Sequence, residues 1–283
     1  MMNNGSCLCG AVTWQLTAEP QQIFNCHCRM CQKTHGTAYG TYWFVRPDEL
    51  RWTSGVDTIV HYRSSDVLVR SSCGTCGSVV PYPGESGVEH CVIPGGCHDH
   101  GRKPDCDIFV ADNAPWHDLT NDLPRHDAYP EESGLPSVDG PPKSEGPEGV
   151  VRGSCLCGEV IYHVTQPFKV ARNCHCSRCR RARSAAHASN CFTSIDGVHF
   201  VKGEEHLKSY KVPDAKFFTQ VFCDVCCSPM PRLDAARGIA VVPMGSLDDD
   251  PGVKPIDNIF VGSKADWHDI TDDLPAFDQG PPS

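Results

Sequence analysis

Apolar and polar positions alternate along this chain in short runs, and few runs keep the three-to-four spacing of a helix. Ala11-Val12-Thr13-Trp14-Gln15-Leu16 and Glu159-Val160-Ile161-Tyr162-His163-Val164 each follow a Cys-x-Cys-Gly turn and are rich in β-formers, so both are predicted to be strands. Asp107-Ile108-Phe109-Val110 and Asn258-Ile259-Phe260-Val261 read as later strands. After them in interest comes Arg178-Cys179-Arg180-Arg181-Ala182-Arg183, which suggests one short helical turn. The 25 Gly and 23 Pro divide what remains into turns. A mainly β, mainly antiparallel fold is expected, with cysteines at strand ends and turns.

The pattern occurs twice. Gly5-Ser6-Cys7-Leu8-Cys9-Gly10 returns as Gly153-Ser154-Cys155-Leu156-Cys157-Gly158, 148 positions on, and Cys26-His27-Cys28 returns as Cys174-His175-Cys176 at the same offset. Cys73-Gly74-Thr75-Cys76 matches Cys223-Asp224-Val225-Cys226 at 150, and Trp116-His117-Asp118 matches Trp267-His268-Asp269 at 151. Small loop insertions explain the drift. Between the copies, 128–150 is rich in Pro, Gly, Ser and Glu and poor in large apolar side chains, which predicts an exposed linker. Two tandem domains, 1–127 and 151–283, are expected.

Charge and length narrow the partners. A formal net charge of -10 and a sequence pI near 5.7 leave no basic stripe for a phosphate backbone, so no nucleic acid partner is expected. No run of about 18 apolar residues marks a membrane span, and Met1-Met2-Asn3-Asn4-Gly5-Ser6 lacks the features of a signal peptide. A cytoplasmic protein without membrane association is expected, and nothing in the pattern selects an oligomeric state.

The 19 cysteines change the picture most. Their density and odd number, without a secretory signal, favour thiolate–metal sites over disulfides. Cys7 and Cys9 with Cys73 and Cys76, and Cys155 and Cys157 with Cys223 and Cys226, each supply two close pairs, the pattern of a closed structural zinc site. Cys26, Cys28 and Cys31, and likewise Cys174, Cys176 and Cys179, supply three ligands, the number found at catalytic zinc with one open position. A fourth ligand from Cys91, Cys97, His98, Cys106 or Cys191 is the alternative, although none of these stands at the same place in both copies. Up to four zinc ions per chain follow, with iron as another thiolate-seeking metal. His27 and His175, between two ligands, are expected beside the metal or facing solvent, and His117 and His268 are expected in structural Trp-His-Asp turns. Arg178, Arg180, Arg181 and Arg183 crowd the second triplet and could attract a carboxylate-bearing thiol such as glutathione; the first has only Arg29 and Lys33.

These motifs, with Phe222-Cys223-Asp224-Val225-Cys226, Gly245-Ser246-Leu247-Asp248-Asp249 and Ile259-Phe260-Val261-Gly262-Ser263-Lys264-Ala265-Asp266-Trp267, resemble the glutathione-dependent formaldehyde-activating enzyme family, also called centromere protein V-like. The resemblance spans nearly all of both repeats. It implies an Mss4-like fold of packed antiparallel sheets, a structural four-cysteine zinc, a three-cysteine active-site zinc, and carbon–sulfur lyase chemistry on glutathione and formaldehyde. By that resemblance Cys26, Cys28, Cys31, Cys174, Cys176 and Cys179 are active-site residues; Arg178, Arg180 and Arg181 are candidate glutathione contacts by their charge, with a solvated face as the alternative. The second copy is the closer match. The first departs at Gln32 for Arg180, at Cys97-His98 for Leu247-Asp248 and at Ala111-Asp112-Asn113 for Gly262-Ser263-Lys264; the second has Cys227 where the first has Gly77. The leading expectation is a zinc enzyme acting on a small-molecule thiol adduct. The alternatives are a zinc-stabilised protein-binding module and a thiol redox protein using Cys91, Cys97, Cys106, Cys191 or Cys227.

Overall fold

The computed structural model describes residues 3–66, 68–82, 89–133 and 139–281. Each half opens with a three-stranded antiparallel sheet, Asn3–Ser6, Thr13–Leu16 and Leu50–Ser54 in the first and Val151–Ser154, Ile161–Val164 and Val198–Lys202 in the second. A larger sheet then forms around Gln22–Cys26 and Gly40–Val45, and around Val170–Cys174 and Ala188–Ser194 in the repeat. The predicted early strands are present. The later ones, Cys106–Ile108 and Pro255–Ile259, join the larger sheets parallel to Gln22–Cys26 and Val170–Cys174, so these sheets are mixed where an antiparallel pattern was expected. Each ends before a phenylalanine in left-handed backbone, Phe109 and Phe260, both at φ 58°.

The predicted helical turn is a helix, and it too occurs twice: α1, Arg29–His35, and α2, Ser177–Arg183. Both are sharply capped. Cys28 and Cys176 stand at the N-cap, and their sulfurs accept from the amides of Cys31 and Cys179 at 3.4 Å. Gly36 and Ser184 close the C-termini in left-handed backbone.

The halves interlock by exchange. Lys33 of α1 is buried against Asp248 of the second half, with Nζ 2.8 Å from its carboxylate and 2.9 Å from Ser154 O and Oγ. Arg180 and Arg181 of α2 grip Asp99 of the first half, at 2.6 and 2.7 Å. Gly245 lies under the backbone of α1, and Gly96 under the end of α2, where any side chain would collide with main chain. Arg180 thus reaches the other half, whereas Gln32 at the equivalent position donates within its own half, to His27 O at 2.6 Å and Asp112 O at 2.8 Å; Cys97-His98 against Leu247-Asp248 also changes how the halves join. In the third departure Asn113 Nδ2 and Lys264 Nζ donate to the equivalent carbonyls of His117 and His268, at 2.7 and 2.8 Å, but only Asn113 also meets its histidine, with Oδ1 3.2 Å from His27 Nδ1.

Most described residues of the expected linker are exposed, and it is anchored at two points. Tyr129 packs edge-on against Phe109 at 4.8 Å, and the Ser144 hydroxyl donates to Asp248 at 2.6 Å. Residues 134–138 of it lie outside the described residues. Short polar side chains were enough, because the buried Asp248 carboxylate offers acceptors a solvated linker would lack.

Volume is also traded between the halves. Only glycine fits at Gly77 (φ 72°), because a Cβ there would sit 2.5 Å from the Phe222 ring; at the reciprocal contact Cys227, also left-handed at φ 58°, meets the smaller Ser72. Gly77→Ala is expected to destabilise by about 2–4 kcal/mol, combining backbone strain with overpacking. Adding Phe222→Ser should recover the packing part, and strictly additive urea-unfolding energies for the double variant would refute the coupling.

Candidate metal centres

Four thiol clusters assemble, and they are the four the spacing predicted. In Cys7, Cys9, Cys73 and Cys76, and in Cys155, Cys157, Cys223 and Cys226, all sulfurs lie within 4.8 Å of one another. The sulfur pairs Cys7–Cys9, Cys9–Cys73, Cys155–Cys157 and Cys157–Cys223 stand at 3.5, 3.7, 3.3 and 3.8 Å. Those spacings are too long for disulfides and close to the edge of about 3.8 Å in a tetrahedron of 2.3 Å zinc–sulfur bonds. Crowding drives the thiols apart in acidity. Hydrogen bonds from Cys73 and Cys76 push Cys7 far up, while those from Cys7 and Cys73 hold Cys76 far down. All four can ionise together only around a cation, so the donor set fits zinc. A tyrosine of the other half lies within electrostatic reach of each site: Tyr62 is raised by burial and by Cys157 and its partners, Tyr210 by burial and by Cys9 and its partners.

The triplets are built at a strand end and a helix start. Cys26 closes its strand, Cys28 caps α1 and Cys31 occupies its first turn; Cys174, Cys176 and Cys179 repeat this around α2. Each triplet also gathers its sulfurs within 4.8 Å, and no fourth His, Cys, Asp or Glu joins either among the described residues. The candidate fourth ligands are used elsewhere. His98 bonds Trp14 Nε1 at 3.0 Å and Asn3, Cys97 points to Val79 O and Ser184, and Cys191 to Val242 O. Cys91, Cys106 and Cys227 are buried outside the clusters. As in the closed sites, acidity splits: Cys174 is pushed up to about 12 by Cys176, and Cys176 falls to about 3 through Cys174 and Cys179.

Each triplet has one buried guanidinium beside it, from a different place in the repeat. Arg70, on Leu68–Cys73, lies 3.7 Å from Cys31 Sγ and 3.1 Å from Tyr42 Oη, which itself donates to Cys31 at 3.4 Å. In the second half that position is Gln220, and the cation is Arg183 of α2. Arg183 bonds Asn190 Oδ1 at 3.1 Å, and its Nη1 has no partner among the described residues. Burial pulls Arg183 down to about 10, so it stays charged at neutral pH. Three thiolates and a divalent cation carry one net negative charge, which one arginine balances.

Both triplets face cavities. The first, of about 340 Å³, is walled mainly by Phe24, Phe44, Leu68, Val80, Tyr82 and Tyr129; the second, of about 200 Å³, by Phe217, Phe218 and Met230 with Arg183, Arg232 and Arg237. The arginines expected to contact glutathione are not among these walls. Arg180 and Arg181 are held by Asp99, and Arg178 is exposed. Of the four arginines expected to crowd the second triplet, Arg183 lines its cavity, four residues after Cys179 and so on its face of α2. Arg70, Arg232 and Arg237 come from distant strands and carried no such signal.

His117, His175, His187 and His268 line a separate cavity of about 340 Å³ between the halves. His27 and His175 are buried, neither ligating nor facing solvent. His175, His187 and His268 stack with centroids 5.2 to 5.8 Å apart, and His27 stacks on His117 at 5.8 Å. Burial lowers His117 to about 4 and His268 to about 3. Reciprocal pairs, Lys103–Asp269 at 2.5 Å and Lys254–Asp118 at 2.6 Å, join the two Trp-His-Asp turns to the opposite halves.

Fold and sites together define a mainly β protein of two interlocked, homologous halves, each with one closed four-thiol centre and one open three-thiol centre on a cavity. The family model described as glutathione-dependent formaldehyde-activating enzyme matches residues 2–112 and 150–263, and the chain belongs to that family as a tandem duplication. A Halomonas elongata protein, named provisionally as a glutathione-dependent formaldehyde-activating enzyme, is 29% identical over 128 residues, 43% of this chain and 81% of its own. A crystal structure of a Rhodobacter sphaeroides protein is similar at 26% identity and TM-score 0.29, over 37% of this chain and 97% of its own.

Proposed function

We propose that this chain is a carbon–sulfur lyase that makes and breaks thiol–aldehyde adducts, with glutathione and formaldehyde as the pair suggested by its family. The observation that carries the reading is the open triplet: three convergent thiols, no fourth protein ligand among the described residues, and a charge-balancing buried arginine at a cavity. Cys26, Cys28 and Cys31, and Cys174, Cys176 and Cys179, would hold the catalytic zinc; the eight other cluster cysteines would hold structural zinc. Zinc, when bound, supplies a Lewis acid that lowers the pKa of a substrate thiol.

In the forward direction the thiolate's electron pair forms the bond to the carbonyl carbon, and the carbonyl π pair moves to oxygen, which takes up a proton. The reverse step returns that proton and releases thiolate and aldehyde. Arg183, with Nη1 unpartnered among the described residues, stands where it can hold the developing oxyanion; Tyr42 and Arg70 line the corresponding wall of the first cavity. A redox role is disfavoured by the extra cysteines, all buried; burial pushes Cys91 up to about 11 and Cys97 and Cys227 up to about 12. No helix among the described residues is long and apolar enough to cross a membrane.

Elemental analysis of protein purified without added metal is expected to find four zinc per chain, one for each thiol cluster. In Cys176→Ala it should find three, with the circular dichroism unchanged and S-hydroxymethylglutathione formation from the second site lost. Two zinc in both proteins would refute zinc at the triplets.

A further inference from the structure

The two triplet cavities are related by duplication but differ in charge. In the first, Arg70 is the only Arg, Lys, Asp or Glu on the walls among the described residues, and the triplet with its divalent ion uses that single positive charge. What remains is mostly aromatic and aliphatic, with Phe24, Leu68 and Tyr82 among the walls and Tyr129 contributed by the segment joining the repeats, while Ser65, Ser71 and His90 add polar groups.

The second cavity keeps a surplus. Arg183 balances its triplet, and Arg232 and Arg237 then share one carboxylate, Asp234, at 2.9 and 2.7 Å. Two guanidiniums against one acid leave one positive charge at the rim, where Arg237 stacks over Phe217 at 4.7 Å. The Arg237 side chain is 37% exposed, open to a ligand lying across the mouth. The sequence positions sharpen the contrast, because the first half has Tyr82 where the second has Arg232, and Tyr42 where it has Asn190.

We infer that the two sites take different thiol adducts: the C-terminal one a carboxylate-bearing thiol such as glutathione, the N-terminal one a thiol with an uncharged, aromatic or aliphatic body. This rests on the function proposed above and goes further by assigning a substrate class to each half. A charged tripeptide would leave its carboxylates unpaired on the first cavity's walls, an unfavourable transfer from water. An apolar body would gain from burial there. At the second site the carboxylate meets a surplus guanidinium, in the planar pairing arginine favours. The duplicated chain thereby handles two adduct classes of one aldehyde.

The test reads binding, so that it separates from turnover. Full-length protein would be titrated, with NMR detection, using two stable thioethers: S-methylglutathione and benzyl methyl sulfide. One equivalent of each is expected, without competition between them. Arg237→Met should weaken S-methylglutathione about tenfold and leave the sulfide unchanged, since the charge-assisted pair with the ligand is removed. Tyr82→Arg should weaken the sulfide and spare S-methylglutathione. Two equivalents of S-methylglutathione, mutual competition, or both ligands responding to the same substitution would overturn the inference. Selective binding with no adduct formation from the corresponding thiols and formaldehyde would support two ligand classes and refute the lyase reading instead.

Discussion

Replacing Cys76 with serine is expected to unfold the N-terminal half and to weaken the C-terminal half with it. The site is closed, with Cys73 and Cys76 buried and all four sulfurs within 4.8 Å, so a metal held there would serve the fold alone. Structural zinc in small domains contributes about 10–16 kcal/mol, comparable with or above the roughly 5–15 kcal/mol of a whole domain. Propagation follows from the exchange between halves, since Tyr210 of the second half lies within electrostatic reach of this site and Phe222 leans on Gly77 beside it. Loss of one zinc per chain, loss of the β-sheet dichroism and a single broadened melt are the expected results. A soluble Cys76→Ser protein melting within a few degrees of the wild type would show that the four-cysteine centres do not carry the fold. Cys176→Ala is the contrast, because its triplet lies at a cavity and removes no closed shell.

Lys33→Met should destabilise by about 3 kcal/mol or more, although the new side chain is apolar and similar in length. Its ammonium is buried against Asp248, whose side chain is fully buried and is held below the usual carboxylate range against burial by Lys33. Removing one partner of a buried pair leaves the other charged and unpaired, typically costing 3–5 kcal/mol. Arg29 at 2.9 Å and the Ser144 and Ser154 hydroxyls at 2.6 and 2.9 Å keep some compensation, so the lower end is expected. Urea unfolding measures it. A change under 0.5 kcal/mol would mean Asp248 is already satisfied without Lys33, while rescue by Asp248→Leu in the double variant would confirm the stranded charge as the cause.

Much of the chemistry was legible because metal ligands are encoded locally. Cys26, Cys28 and Cys31 fall within six residues, and their geometry follows from one strand end and one helix cap. Cys7 and Cys9 needed a partner pair more than sixty residues away, but the duplicate arrangement pointed to it. The placement of the arginines was not legible in this way. Arg180 and Arg181 follow Cys179 directly in sequence, yet in the fold both reach Asp99 of the other half.

By itself the sequence determined the duplication, the mainly β character, the four cysteine clusters and the family. Each of these depends on residue type and spacing along the chain, which folding does not alter. Tertiary structure alone decided that the late strands join in parallel, that the halves exchange Lys33 and Arg180, that the joining segment is anchored, and which arginines face the triplets. Those outcomes depend on burial. A charge withdrawn from water must find its counter-charge wherever the fold brings one close, and Asp248 for Lys33, like Arg70 for Cys31, came from far along the chain.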